Sequence, residues 1–130
     1  MTVDWKTLCD IIHGSNNIVL TSHIRPDCDA LGSELGMAGV LRKLGKTVRI
    51  VNGQSTPPNL QFIDPDREIL TIDEDINVSD LADADLLMIL DTSAWAQLGP
   101  MREFIESTSA KKIIFDHHVG EDELLSLIHI

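Results

Sequence analysis

The feature that most restricts the fold of this chain is a set of short apolar runs, each followed by acids or histidines. Ile18-Val19-Leu20-Thr21-Ser22 and Leu86-Leu87-Met88-Ile89-Leu90 lack polar alternation, the pattern of strands in a parallel sheet that are covered on both faces. Thr47-Val48-Arg49-Ile50-Val51-Asn52 and Lys111-Lys112-Ile113-Ile114-Phe115 read as further strands, and Glu68-Ile69-Leu70-Thr71 as a short one. Helical segments separate them. The spacing of Leu31, Leu35, Ala38 and Leu41 predicts a long helix over 30–44, closed by Gly45 where a helix C-cap favours glycine. Val3, Trp5, Leu8, Ile11 and Ile12 predict a short helix that stops at Gly14-Ser15-Asn16-Asn17, and Pro100 can open another running to Ser107. Gly53 to Asn59 reads as a loop and Ser79 to Asp85 as a brief helical turn. This alternation predicts an α/β fold, doubly wound, with a mainly parallel sheet and helices on both faces. Gly32, Gly36 and Gly39 inside the long helix each cost about 1 kcal/mol against Ala, so close packing of the helix backbone on sheet or ligand is expected there.

Composition narrows the function. The 130 residues suit one domain, and 10 Lys+Arg against 21 Asp+Glu give a net charge of −11. No broad basic surface is available for duplex DNA, and a phosphate-bearing substrate needs metal ions or a local basic pocket to offset the repulsion. With no Tyr, three Phe and two Trp, a stacking platform for single strands is also unexpected. Cys9 and Cys28 make no disulfide framework, no run is long enough to span a membrane, and the N-terminus lacks a signal-peptide layout, so a cytoplasmic protein is expected.

In an open parallel sheet, ligands bind outside the carboxyl ends of the strands. The residues at those ends are His23, Asp27 and Asp29 after the first run, Asp91 after the fourth, and Asp116, His117 and His118 after the last. Carboxylates and imidazoles without a thiolate cluster suit manganese, iron or magnesium rather than structural zinc. Carboxylates converging on one edge repel unless cations neutralise them, and a shared carboxylate such as Asp91 can hold two metals about 3.5–4 Å apart for hydrolytic chemistry. Cys28 fits a small buried filler better than a reactive thiol, Lys111-Lys112 a solvated strand entry better than a phosphate clamp, and Arg25 either a substrate-phosphate contact or a surface ion pair.

These segments carry a resemblance. Thr21-Ser22-His23-Ile24-Arg25-Pro26-Asp27-Cys28-Asp29-Ala30-Leu31-Gly32-Ser33, Leu90-Asp91-Thr92-Ser93 and Phe115-Asp116-His117-His118 resemble the first three motifs of the DHH phosphoesterase family, over about residues 15 to 120. The compact members that degrade very short oligoribonucleotides and dephosphorylate 3′-phosphoadenosine 5′-phosphate are nearer in character than the large RecJ-type exonucleases. The resemblance implies two Mn²⁺ ions, with Mg²⁺ as the alternative metal: one held by His23, Asp27 and Asp91, the other by Asp29, Asp91 and His117. It further implies that His118 contacts the substrate phosphate or orients the site, that Asp116 steadies the imidazoles, and that water activated between the ions is the nucleophile. Gly32 and Ser33 would either bring backbone N–H groups near a phosphate or serve packing alone.

Family members continue to a fourth motif that supplies another Asp and to a C-terminal substrate-binding domain. The only Asp after His118 is Asp122, so residues 1–120 are expected to form the catalytic domain without its fourth motif and with one ligand missing from the second metal. Residues 121–130 are expected to be an atypical apolar tail at a truncation, with a self-associating surface, hence a homodimer, as the alternative. The leading expectation is a phosphoesterase acting on nucleotides or short oligonucleotides; the alternative is a truncated, non-catalytic metal-binding remnant. A receiver-like or nucleotide-binding domain using one Mg²⁺ is the least favoured, because no dinucleotide fingerprint or Walker-type lysine loop is present.

Overall fold

The computed structural model describes residues 4–116. Five strands, β1 (Asn17–Thr21), β2 (Thr47–Asn52), β3 (Ile69–Thr71), β4 (Leu86–Leu90) and β5 (Lys111–Phe115), form one parallel sheet in the order β3-β2-β1-β4-β5. Among the described residues there are three α-helices: α1 (Trp5–His13) precedes β1, α2 (Cys28–Lys43) joins β1 to β2, and α3 (Met101–Ser107) lies between β4 and β5. The doubly wound α/β expectation holds. Successive strand residues point to opposite faces, and both faces are covered. Val19, Val51, Leu87, Ile89 and Ile114 pack beneath Met101, Phe104 and Ile105 of α3, while Ile18, Leu20, Ile50, Met88 and Ile113 pack beneath Leu8 of α1 and Leu31, Ala38 and Leu41 of α2. Each large strand side chain sealed in this way contributes roughly 1.5–3 kcal/mol. Among the described residues no helix is long and apolar enough to cross a membrane.

The brief helical turn expected over Ser79 to Asp85 is a 3-10 turn over Val78–Leu81, and two further 3-10 turns that sequence did not single out run over Pro58–Ile63 and Trp95–Gln97. Helix α2 starts two residues before the predicted Ala30, because Asp27 caps it: the Asp27 carboxylate accepts the Ala30 N–H at 2.9 Å. Gly45 lies just beyond its last turn at φ +82°, the left-handed conformation that releases the chain toward β2. The expectation for the three internal glycines is corrected on the sheet side. The buried stripe of α2 is Ala30, Leu31, Glu34, Ala38 and Leu41, so Gly32, Gly36 and Gly39 face away from the sheet, and a Cβ on any of them would meet nothing within 4 Å among the described residues.

Glu34 is the exception in that stripe. It is fully buried and bonded to the Ser22 hydroxyl just beyond β1 and, at 3.0 Å, to the side-chain amide of Asn52 at the end of β2. Asn52 in turn accepts the Ser22 N–H at 3.2 Å. Burial pushes the Glu34 carboxyl up to about 8, against the opposing pull of these two hydrogen bonds.

Two outcomes follow for stability. Thr21 has a buried hydroxyl with no hydrogen-bond partner among the described residues, so Thr21→Val is expected to raise stability by about 1 kcal/mol in urea unfolding. The folded chain keeps the Glu34 proton to higher pH than the unfolded chain, where a glutamate titrates near 4.5. The contribution of this group is therefore full below about pH 4.5 and declines as pH rises toward about 8. Glu34→Gln removes that decline, so unfolding curves at pH 5 to pH 8 are expected to show the variant gaining on the parent with each step; a constant difference would refute the buried neutral carboxyl.

Candidate metal centre

The sheet order places β1 beside β4 with β2 and β3 on one side and β5 on the other, so the chain switches direction across the sheet at the β1–β4 boundary. In such sheets the crevice for ligands opens outside the carboxyl ends of those two strands. The ladder sets what meets there. Thr21 pairs with Ile89, so His23 and Asp91 each stand two residues beyond the same rung. Their side chains touch, with His23 Nε2 at 3.2 Å from Asp91 Oδ2. Asp27, which starts α2, brings Oδ1 to 3.8 Å from the same nitrogen. One potential ligand atom from each of His23, Asp27 and Asp91 lies within 4.8 Å of the others.

Hydrogen bonding orients the imidazole. His23 Nδ1 is 2.8 Å from the carbonyl oxygen of Ile24, an acceptor only, which assigns the proton to Nδ1. The Nε2 lone pair then faces two carboxylates. Three acceptors turned toward one point are favourable only with a cation among them, whether a proton or a metal ion, and one imidazole nitrogen with two carboxylates is a donor set that suits Mn, Fe or Mg. The residues present thus fit a divalent ion.

Asp91 is held with care. It is buried, its backbone lies at φ +63°, and its N–H donates to the Phe115 carbonyl at 2.7 Å. A left-handed non-glycine residue costs on the order of 1–3 kcal/mol, and Asp tolerates that region better than bulkier residues. The bond to Phe115 ties this strained turn to the end of β5.

The other predicted residues fall around this trio. Asp29 sits exposed in the first turn of α2 and lines, with Asp91 and Asp116, a cavity of about 620 Å³ whose walls include Met37, Leu90 and Phe115. Asp116 accepts a hydrogen bond from the Ser93 hydroxyl at 2.8 Å. His117 and His118 lie outside the described residues, as does the tail over 121–130. Arg25 is exposed beside the site at φ +52°, its N–H held by Gln54 Oε1 at 2.8 Å; among the described residues it forms no ion pair. Cys28 is not the buried filler expected from sequence, because as the first residue of α2 it is carried to the surface. Lys111 and Lys112 enter β5 at the sheet edge opposite the site, as a solvated strand entry would. A second cavity, at the β3 edge and lined by Phe62 and Arg67 among others, contains none of the candidate ligands.

Sequence reasoning missed the polar groups beneath the ligands: Ser22, Glu34, Asn52 and Ser93. A signal was present for two of them. Glu34 interrupts the apolar stripe formed by Leu31, Ala38 and Leu41, and Asn52 ends the β2 run as Asp91 follows β4.

Comparison with known proteins bears on the family and the fold. The family model described as "DHH family, N-terminal domain" matches residues 17–129. The bifunctional oligoribonuclease and PAP phosphatase NrnA of Bacillus subtilis is 28% identical over 115 residues, which is 88% of this chain and 33% of that protein. The crystal structure of an exopolyphosphatase-related protein from Bacteroides fragilis superposes with a TM-score of 0.86 at 26% identity, covering 96% of this chain and 37% of the other. The chain therefore spans about a third of the length of these two relatives. A family match running from the first strand past the last strand end leaves one assignment: the chain belongs to the DHH family and carries its N-terminal domain.

Proposed function

We propose that this chain is the metal-binding domain of a Mn²⁺-dependent phosphoesterase that hydrolyses phosphate esters of nucleotides or short oligonucleotides in the cytoplasm. The observation that carries the reading is the meeting of His23, Asp27 and Asp91 at the switch point of the sheet. These three residues would hold one ion, and Asp29, Asp91 and His117 a second, with Asp91 common to both and Mg²⁺ as the alternative metal. Bound there, such ions polarise a phosphate ester and make water a better nucleophile at neutral pH. The chain's own residues supply placement. Asp91, buried and tied to β5, offers a carboxylate that does not have to be ordered when a ligand arrives. Asp116, held by Ser93, would steady the imidazoles that follow it, and His118 and Arg25 would meet the substrate phosphate. A local cationic contact of this kind is what an acidic chain of net charge −11 requires for an anionic substrate.

The substrate class is supported by the oligoribonuclease and PAP phosphatase relative. The remainder of such an enzyme, including a domain that grips the substrate, would lie beyond the part that this sequence shares with its relatives.

Asp91→Asn tests the reading, because asparagine tolerates the left-handed backbone and so the substitution removes charge without disturbing the turn. Calorimetric titration of the metal-free chain with Mn²⁺, with elemental analysis, is expected to show stoichiometric binding in the parent. In the variant, affinity is expected to fall by more than the roughly 10–100-fold typical of losing a residue that merely supports a ligand. Assays on 3′-phosphoadenosine 5′-phosphate and a dinucleotide accompany the titration. Equal Mn²⁺ binding by parent and variant would overturn the assignment, and binding without turnover would favour the non-catalytic metal-binding domain.

A further inference from the structure

The ring of hydrogen bonds under the site has a consequence for the ligands above it. Ser22, Glu34 and Asn52 are almost wholly buried, and their bonds close on one another. The β1–β2 ladder registers Leu20 with Ile50, and past that rung the Asn52 side chain, rather than a β2 carbonyl, takes the Ser22 N–H. Asn52 Oδ1 is committed to that bond, so its Nδ2 must donate to Glu34 Oε2. The other Glu34 oxygen faces the Ser22 hydroxyl, which can donate or accept. A carboxyl protonated on the oxygen that faces Ser22 is compatible with both contacts, and so is a glutamine with its carbonyl toward Asn52 and its amide toward Ser22.

The three residues belong to three elements that converge on the metal trio. Ser22 is one peptide bond from His23; Glu34 is on the helix that Asp27 caps; Asn52 ends the strand whose following loop supplies Gln54 to the Arg25 N–H. The chain between is tied again by Ile24, whose N–H donates to the Gln97 carbonyl at 2.6 Å. We propose that Glu34 is a positioning residue for this centre: through Ser22 and Asn52 it clamps the exit of β1 to β2 and α2, and so sets the placement of the His23 imidazole relative to the Asp27 and Asp91 carboxylates. This rests on the reading of those three residues as metal ligands. Apolar packing of α2 on the sheet does not call for the group. Its neighbours in the buried stripe of α2 are Leu31, Ala38 and Leu41, and a leucine at 34 would continue that stripe without burying a carboxyl.

The test compares Glu34→Gln, Glu34→Leu, Ser22→Ala and, as a core control remote from the ring, Leu41→Ala. Two quantities are read on the full chain: Mn²⁺ affinity by calorimetry, and hydrogen-exchange protection of the Ser22 and Ile24 amides without metal. Glu34→Gln is expected to bind within about two-fold of the parent, whereas Glu34→Leu, which leaves the buried Asn52 amide and Ser22 hydroxyl without this partner, is expected to bind on the order of ten-fold more weakly under conditions where it is folded. Ser22→Ala removes only a hydroxyl, so it is expected to fold and to lose several-fold, with reduced protection at both amides. Leu41→Ala is expected to lower Tm while leaving affinity intact under conditions where it is folded. Parental affinity and protection in Ser22→Ala would overturn the proposal, as would losses in the Glu34 and Ser22 variants no larger than in Leu41→Ala. If Asp91→Asn shows that the trio is not the metal site, the metal-free amide readout still decides whether the clamp exists.

Discussion

The parallel pairing of β1 with β4 is the interaction on which the rest of the molecule depends. It joins residues 68 apart in sequence, and because Thr21 lies opposite Ile89, the positions two residues on are His23 and Asp91. A slip of one residue would displace one side chain by about 3.3 Å and turn it to the opposite face of the sheet. Register is secured by burial on both sides. Ile18 and Leu20 belong beneath α1 and α2, Val19 beneath α3, and any slip would exchange these environments along the whole strand.

From this pairing the site is assembled by elements with other duties. Asp27 caps α2 with the same carboxylate oxygen that approaches His23, so the start of the helix and the ligand geometry are one feature. Asp91 is bound by its backbone to Phe115 and occupies a strained conformation that only a tightly held turn sustains. The crevice therefore gathers carboxylates that repel one another, in a place where the fold has left them little freedom to separate. Such an arrangement stores a demand for positive charge, which is the physical basis for expecting a divalent ion there.

Beneath the ligands the chain uses polar groups that the apolar packing of α2 on the sheet does not call for. Glu34 is kept in a helix stripe otherwise composed of Ala and Leu, and burial drives its carboxyl toward neutrality. The resulting ring with Ser22 and Asn52 gives direction, which dispersion contacts lack, at the point where β1 leaves the sheet. Of the exposed glycines of α2, Gly36 lines the cavity shared by Asp29, Asp91 and Asp116.

Much of the fold was legible along the chain, because the apolar runs of β1, β2, β4 and β5 and the periodicity of α2 are local patterns that burial imposes directly. The candidate ligands were legible too, since the strand ends of an open parallel sheet are where its ligands bind. Glu34, Asn52 and Ser93 were not, because a polar residue carries no mark of its partner until distant segments meet; nor was the exposure of Cys28, which depends on where Asp27 starts the helix. Sequence by itself determined which segments become strands and which acids and histidines stand at their ends. Only tertiary structure decided that His23, Asp27 and Asp91 share one point, because that rests on strand order and register, and on a buried hydrogen-bond ring among residues 22, 34 and 52 that no local pattern encodes.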